Sequence, residues 1–99
     1  MFAIGDQEWP GISKLVEECG EVGQVCGKLM GTHGLVNHWD GSDLRIELEN
    51  ELGDLLAAIA FVMGHCPLDR DAINTRADLK LRRFEQWHAL GEKNQGAIR

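Results

Sequence analysis

Six carboxylates fall at spacings that put them on shared helix faces. Glu17, Glu18 and Glu21 lie in one periodic segment, and Glu47, Glu51 and Asp54 in another. With 100° of turn per residue, side chains three and four apart are neighbours on a helix surface. The second segment carries an apolar stripe of Leu44, Leu48, Leu52, Leu55, Ile59, Val62 and Met63, centred near Leu48, Leu55 and Ile59. Glu51 falls inside the arc of that stripe. Glu47 and Asp54 lie just beyond it, one turn to either side, so the three form a ridge along one flank. Glu18 holds a similar flank on the first segment, with Glu21 one turn further on. If the helices pack by their stripes, four to six acids converge, with no basic residue expected on either facing flank. Removing an ionised carboxylate from water without compensation costs several kcal/mol, and like charges a few ångströms apart raise that cost. A divalent cation relieves both penalties. Oxygen ligands at i, i+3 spacing suit Mg²⁺, or Mn²⁺ in its place, rather than Zn²⁺. The alternative is that the flanks splay apart and the acids stay in water.

A third segment supplies cations. Lys80 falls within the same arc as Ile73, Ala77 and Phe84, and Arg83 lies one turn beyond. An inward cation would pair with the acids or hold a phosphate beside the metal. The alternative is a lysine whose stem lies along a helix edge with its head in water.

The elements that must position these groups are three helices, expected at about 11–30, 44–64 and 69–90. In the first, Ile12, Leu15, Val16, Cys19, Val22, Cys26, Leu29 and Met30 recur at helical spacing, with Pro10 suited to the first turn and Gly31 to the stop. Gly20, Gly23 and Gly27 lower its helix propensity and suggest close approach of another backbone or a ligand. The connection from Gly31 to Asp43 is polar and long for a helix–helix joint. Ser42 or Asp43 suits the N-cap of the second helix, and Asp69 that of the third. Gly91 is expected to end the third helix, and 92–99 to form a frayed tail. No repeat and no strand-period segment is visible.

With 99 residues, the chain fits a single all-α domain, 1–99. At this size only roughly 60–65% of the unfolded surface is buried, so a partner subunit or a metal has room to contribute. Sixteen acids against ten bases, a net charge of −6, argue against a general nucleic-acid binder. The longest apolar run, 55–64, is half of what a membrane span needs, so no membrane partner is expected. Met1 to Pro10 shows neither a basic n-region nor a long apolar stretch. Cys19, Cys26 and Cys66 are odd in number and form no CxxC pair, which points to reduced thiols, apolar filler and a cytoplasmic location.

Three motifs in order carry a family resemblance. Lys14-Leu15-Val16-Glu17-Glu18-Cys19-Gly20-Glu21-Val22 resembles the EExxE signature of the all-α MazG-like nucleoside triphosphate pyrophosphohydrolases. Glu49-Asn50-Glu51-Leu52-Gly53-Asp54-Leu55-Leu56 resembles their ExxD signature, and 78–84 their basic third-helix segment. The resemblance covers about residues 14–85. It implies helical bundles assembled as a homodimer or dimer of dimers. It implies cleavage of NTPs or dNTPs between the α- and β-phosphates, giving a nucleoside monophosphate and pyrophosphate in house-cleaning or nucleotide-pool control. Residue by residue, it implies Glu18, Glu21, Glu51 and Asp54 as Mg²⁺ ligands, Glu17 as the group that orients or deprotonates the attacking water, and Lys80 and Arg83 as phosphate contacts. The family often has Asn where this chain has Asp78, so no amide role is implied there, and an acid would instead bind a further metal or pair with a neighbouring helix.

The chemistry asks for such parts: cations to screen a polyphosphate and its leaving group, and a carboxylate to steer a proton. No GxxxxGK[ST] loop is present to cradle phosphates through its backbone. Trp9, His33, Trp39, Asn37 and His38 flank the proposed site and are the candidates for base or sugar contact, with packing and loop polarity as the alternatives. Phosphoribosyl-ATP pyrophosphatase is a neighbouring activity. Two other classes stand beside it: a non-catalytic helical interaction module, and a di-iron carboxylate bundle built on the ExxH of Glu85 and His88, which would need a second copy of the chain.

Overall fold

A helix begins where backbone N–H groups find a substitute acceptor, and the chain supplies one at two of its three helix starts. In the computed structural model, which describes residues 9–98 with side chains through 92, α1 spans Ile12–Gly31, α2 Leu44–His65 and α3 Arg70–Ile98. The Asp43 carboxylate accepts from the backbone N–H groups of Arg45 and Ile46 at 2.9 and 3.3 Å, and Asp69 accepts from that of Ala72 at 3.0 Å. Among the described residues there is no strand, only an isolated bridge between Asn37 and Asp43, so the chain is all-α. Among the described residues no helix is long and apolar enough to cross a membrane. The described stretch includes Trp9 and Pro10 but not the eight residues before them, and it stops short of Arg99.

The start of α1 differs from the expectation. Pro10 lies in the turn before the helix, and Gly11, at φ 85°, is the N-cap. That left-handed backbone favours glycine. Space demands glycine as well: a Cβ on Gly11 would sit 2.5 Å from Phe61 Cδ1 of α2. At the other end α1 stops at Gly31 as expected. The N–H of Gly34, at φ 87°, donates to the Leu29 carbonyl at 2.8 Å.

The long connection is internally bonded. His38 N–H donates to Ser42 at 3.0 Å and Leu44 N–H to Val36 at 2.7 Å. Asp40 accepts from both the backbone and the hydroxyl of Ser42, at 3.0 and 2.6 Å, which holds its carboxyl at about 2. The loop therefore returns the chain sharply and sets α2 against α1.

The chain divides into two compact units, Met1–Pro67 and Leu68–Arg99. In the first, α1 and α2 pack along one seam. Its buried side chains are Val25, Leu44, Ala58, Val62 and Cys66, with Leu44 fully buried. The Cys66 thiol donates to the Pro10 carbonyl at 3.4 Å, tying the start of α1 to the end of α2. The α1 stripe is rotated from the expected one. Val25 is buried, whereas Val16 and Met30 are 69% and 72% exposed. On α2, Leu52 is exposed as well. The backbones do not approach at Gly20, Gly23 or Gly27, where an added Cβ would meet nothing within 4 Å among the described residues.

The second unit is α3 alone. It does not end at Gly91 but continues to Ile98, so the expected tail is helical over the described residues. One mid-helix glycine costs about 1 kcal/mol, and the good helix formers Glu85, Gln86, Ala89, Leu90, Glu92 and Lys93 around it outweigh that. Phe84 and Trp87 stack in a tilted pair at 5.7 Å between ring centroids, and both are exposed.

With so small a core, one truncation is felt throughout the seam. Leu44→Ala is expected to lower unfolding stability by about 2–4 kcal/mol, and Gly11→Ala by at least about 1 kcal/mol, both read from urea unfolding followed by helical circular dichroism. Wild-type midpoints in both variants would contradict this packing.

Candidate metal centre

The face of α1 that meets α2 runs through Leu15, Glu18, Val22 and Val25, and that of α2 through Leu48, Glu51, Leu55 and Ala58. Apolar packing at both ends of the seam therefore fixes the height at which the acids meet. Glu18, Glu21, Glu51 and Asp54 each present a carboxylate oxygen within 4.8 Å of the others. Glu18, Glu21 and Glu51 are half-buried and Asp54 is exposed, so the group is open on one side. The four residues the resemblance implies as ligands thus come together in one place.

Their electrostatics are dominated by mutual repulsion and loss of water, which the attraction of Lys14 for Glu18 only partly offsets. The Oε2 atoms of Glu18 and Glu51 are buried and have no hydrogen-bond partner among the described residues. Glu51 is pushed up to about 7: its protonated form hydrogen-bonds Glu21, burial disfavours its charge, and Glu21, Asp54 and Glu18 repel it. Glu18 is also raised, by loss of water first and then by Glu21 and Asp54. The donor set, four carboxylates with two orphaned oxygens, fits a hard divalent cation bound through oxygen. Such an ion would satisfy the orphaned atoms and cancel the repulsion that lifts Glu51.

Two clefts flank the group. One, of about 380 Å³, is lined by Gly11, Lys14, Glu18, Asp54, Ala57, Ala58 and Phe61. The other, of about 300 Å³, is lined by Glu21, Gln24, Val25, Lys28, Glu47 and Glu51. Both contain a lysine, against the expectation that no base would face these flanks. Lys28 lies 3.8 Å from Glu47, and Lys14 lies 3.1 Å from Glu17. Lysine has a long side chain and reaches across from a neighbouring face, which helix angles alone understate. Phe61, Lys14 and Lys28 were not singled out by type or spacing. The one signal for Lys14 was its i, i+3 and i, i+4 relation to Glu17 and Glu18.

The other candidates are not among these four acids. Glu17 is exposed and outside the four-acid group, paired with Lys14. Trp39 is 89% exposed at the tip of the connection. Its ring lies 5.5 Å from that of His38, whose Nδ1 is 3.2 Å from Asp40. Asn37 and His33 are exposed in the same connection. Lys80, Arg83 and Asp78 belong to α3, the first half-buried and the others exposed, and the Asp78 carbonyl lies 3.5 Å from Arg82 Nε. Of the ExxH residues, Glu85 is exposed, and His88 Nε2 pairs with Glu92 at 3.0 Å. All three cysteines are free thiols.

A pH dependence follows from Glu51. Its folded value lies above its unfolded one, so the folded chain holds a proton that the unfolded chain releases between about pH 4.5 and 7. In chelator-treated protein this group's contribution to stability is present below that window and lost as pH rises through it. Melting curves should show Glu51→Gln more stable than wild type at pH 8, with the gap closing towards pH 5. A variant less stable than wild type at pH 8 would contradict the crowding of charge. No known family model, no curated protein and no solved structure matches this chain, so the reading of the site rests on its own residues.

Proposed function

We propose that this protein hydrolyses nucleoside triphosphates, NTP or dNTP, to a nucleoside monophosphate and pyrophosphate, with Mg²⁺, or Mn²⁺ in its place, held by Glu18, Glu21, Glu51 and Asp54. The observation that carries the reading is the meeting of four carboxylates within 4.8 Å, with buried oxygens on Glu18 and Glu51 that lack a partner. The order and spacing of the EExxE-like and ExxD-like segments support it, since each contributes two of the four acids.

When bound, the cation supplies charge screening for a polyphosphate and lowers the pKa of water. The chain's own residues do the rest. Glu18 and Glu51, held by packing on either side, fix the position of the charge they share. Asp54 is on the open side, where a substrate enters. The cleft that it lines with Glu18 has an apolar wall of Ala57, Ala58 and Phe61, and a cleft of this size and mixed lining is of the kind that takes a small organic ligand. Lys80 and Arg83 are kept as phosphate contacts on the resemblance alone. Assembly as a homodimer or dimer of dimers is part of the proposal. Its support is the exposure of the large apolar side chains Val16, Met30, Leu52 and Leu56 on the hairpin. A cytoplasmic role in house-cleaning or nucleotide-pool control completes it.

The test is a panel of common and modified NTPs and dNTPs with Mg²⁺, read as pyrophosphate release. At least one should turn over to monophosphate and pyrophosphate. Glu51→Gln should lower kcat about a hundredfold or more, with helical content retained. Release of orthophosphate in place of pyrophosphate, turnover that persists in chelator, or full activity in Glu51→Gln would overturn the assignment.

A further inference from the structure

The cleft beside Asp54 contains one basic residue among those described, Lys14. Its ammonium lies 3.1 Å from Glu17 Oε2, and it donates a hydrogen bond there. On α1, Glu17 is the acid that does not join the four. It points along the exposed side of α1 towards Lys14, three residues earlier. The arrangement leaves Glu17 neutralised by a neighbour and sets a cation at the mouth of a cleft whose other polar lining is Glu18 and Asp54.

Resting on the nucleotide reading above, we propose that Lys14 binds a phosphate of the substrate and that Glu17 is a positioning residue acting through Lys14, rather than the group that takes a proton from water. Four facts support this division of labour. A lysine has three donors, and Glu17 uses one, leaving others for phosphate oxygens. Lys14 is held protonated, above its ordinary value, first by its hydrogen bond to Glu17 and then by the charges around it. Glu18 and Asp54 line the same cleft and also belong to the cation-binding group, so a phosphate beside that group lies within reach of the cleft mouth. Finally, Glu17 is not among the four acids that gather within 4.8 Å but pairs with Lys14, which places it on the ammonium and not beside the cation those acids would share.

The test uses steady-state kinetics on whichever nucleoside triphosphate the wild type turns over. Lys14→Met should raise KM about tenfold or more while kcat stays within about threefold, and Lys14→Arg should restore KM to within about threefold of wild type. Glu17→Gln should change KM in the wild-type background and change neither constant in the Lys14→Met background, since a residue that acts through another has nothing left to act on. Lys14 and Glu17 are both half-exposed, and helical circular dichroism checks that each variant is folded. An unchanged KM in Lys14→Met overturns the proposal. So does a Glu17→Gln variant whose kcat falls equally in both backgrounds, the signature of a base working on its own. A wild type that hydrolyses none of the nucleotides overturns the parent reading and this one together, whereas wild-type turnover with either of those results overturns this one alone.

Discussion

The constraint on which the hairpin depends is the mutual repulsion of carboxylates held where water cannot fully screen them. Two helices could pack along a continuous apolar seam. Here the seam is interrupted at mid-height by Glu18 and Glu51, half-buried, each with a buried oxygen that no group among the described residues satisfies. Such atoms are costly to leave unmet, and loss of water adds to the rise of Glu51 that begins with its hydrogen bond to Glu21. A seam that keeps such a defect at mid-height trades away stability. The trade is severe here, because the whole described core is five side chains and only Leu44 is fully enclosed.

The rest of the hairpin holds that strained interval at a fixed height. At one end Gly11 admits Phe61 and Val62 against the start of α1, and Cys66 closes onto Pro10. At the other, the bonded connection and the Asp43 cap start α2 at a defined residue. Fixing both ends sets the register of the antiparallel pair, and register decides which acids face each other. A shift of one residue on either helix would turn its acids by 100° and disperse the group.

Much of this was legible from residue types and spacing. The three helices, the caps at Asp43 and Asp69, and the stop at Gly31 follow from local chemistry that operates over three or four residues. Helical periodicity placed Glu18 and Glu21 on one flank and Glu47, Glu51 and Asp54 on the other, and the resemblance singled out the four that meet. What periodicity does not fix is which of two overlapping apolar stripes a helix will bury. Val16 and Met30 were as good a stripe as Val25 within α1, and the choice was made by α2. Nor does it show how far a lysine reaches: Lys14 and Lys28 come beside the acids by side-chain length, not by backbone angle. The continuation of α3 past Gly91 shows a third limit, since one residue's penalty is a sum over neighbours and not a stop signal. The connection's aromatic and histidine residues looked like ligand contacts by proximity in sequence. Of these, Trp39 is exposed and His38 lies beside Asp40.

The four acids come in two pairs, one from each helix, joined by the chain that runs from 21 to 51. A cation gripped by both pairs would therefore act as a reversible cross-link. It would close that stretch into a ring and deprive the unfolded chain of part of its freedom, as a disulfide does, while leaving when the cation leaves. For a hairpin with so little enclosed hydrocarbon, the occupancy of one ion would then govern how much of the population is folded at all.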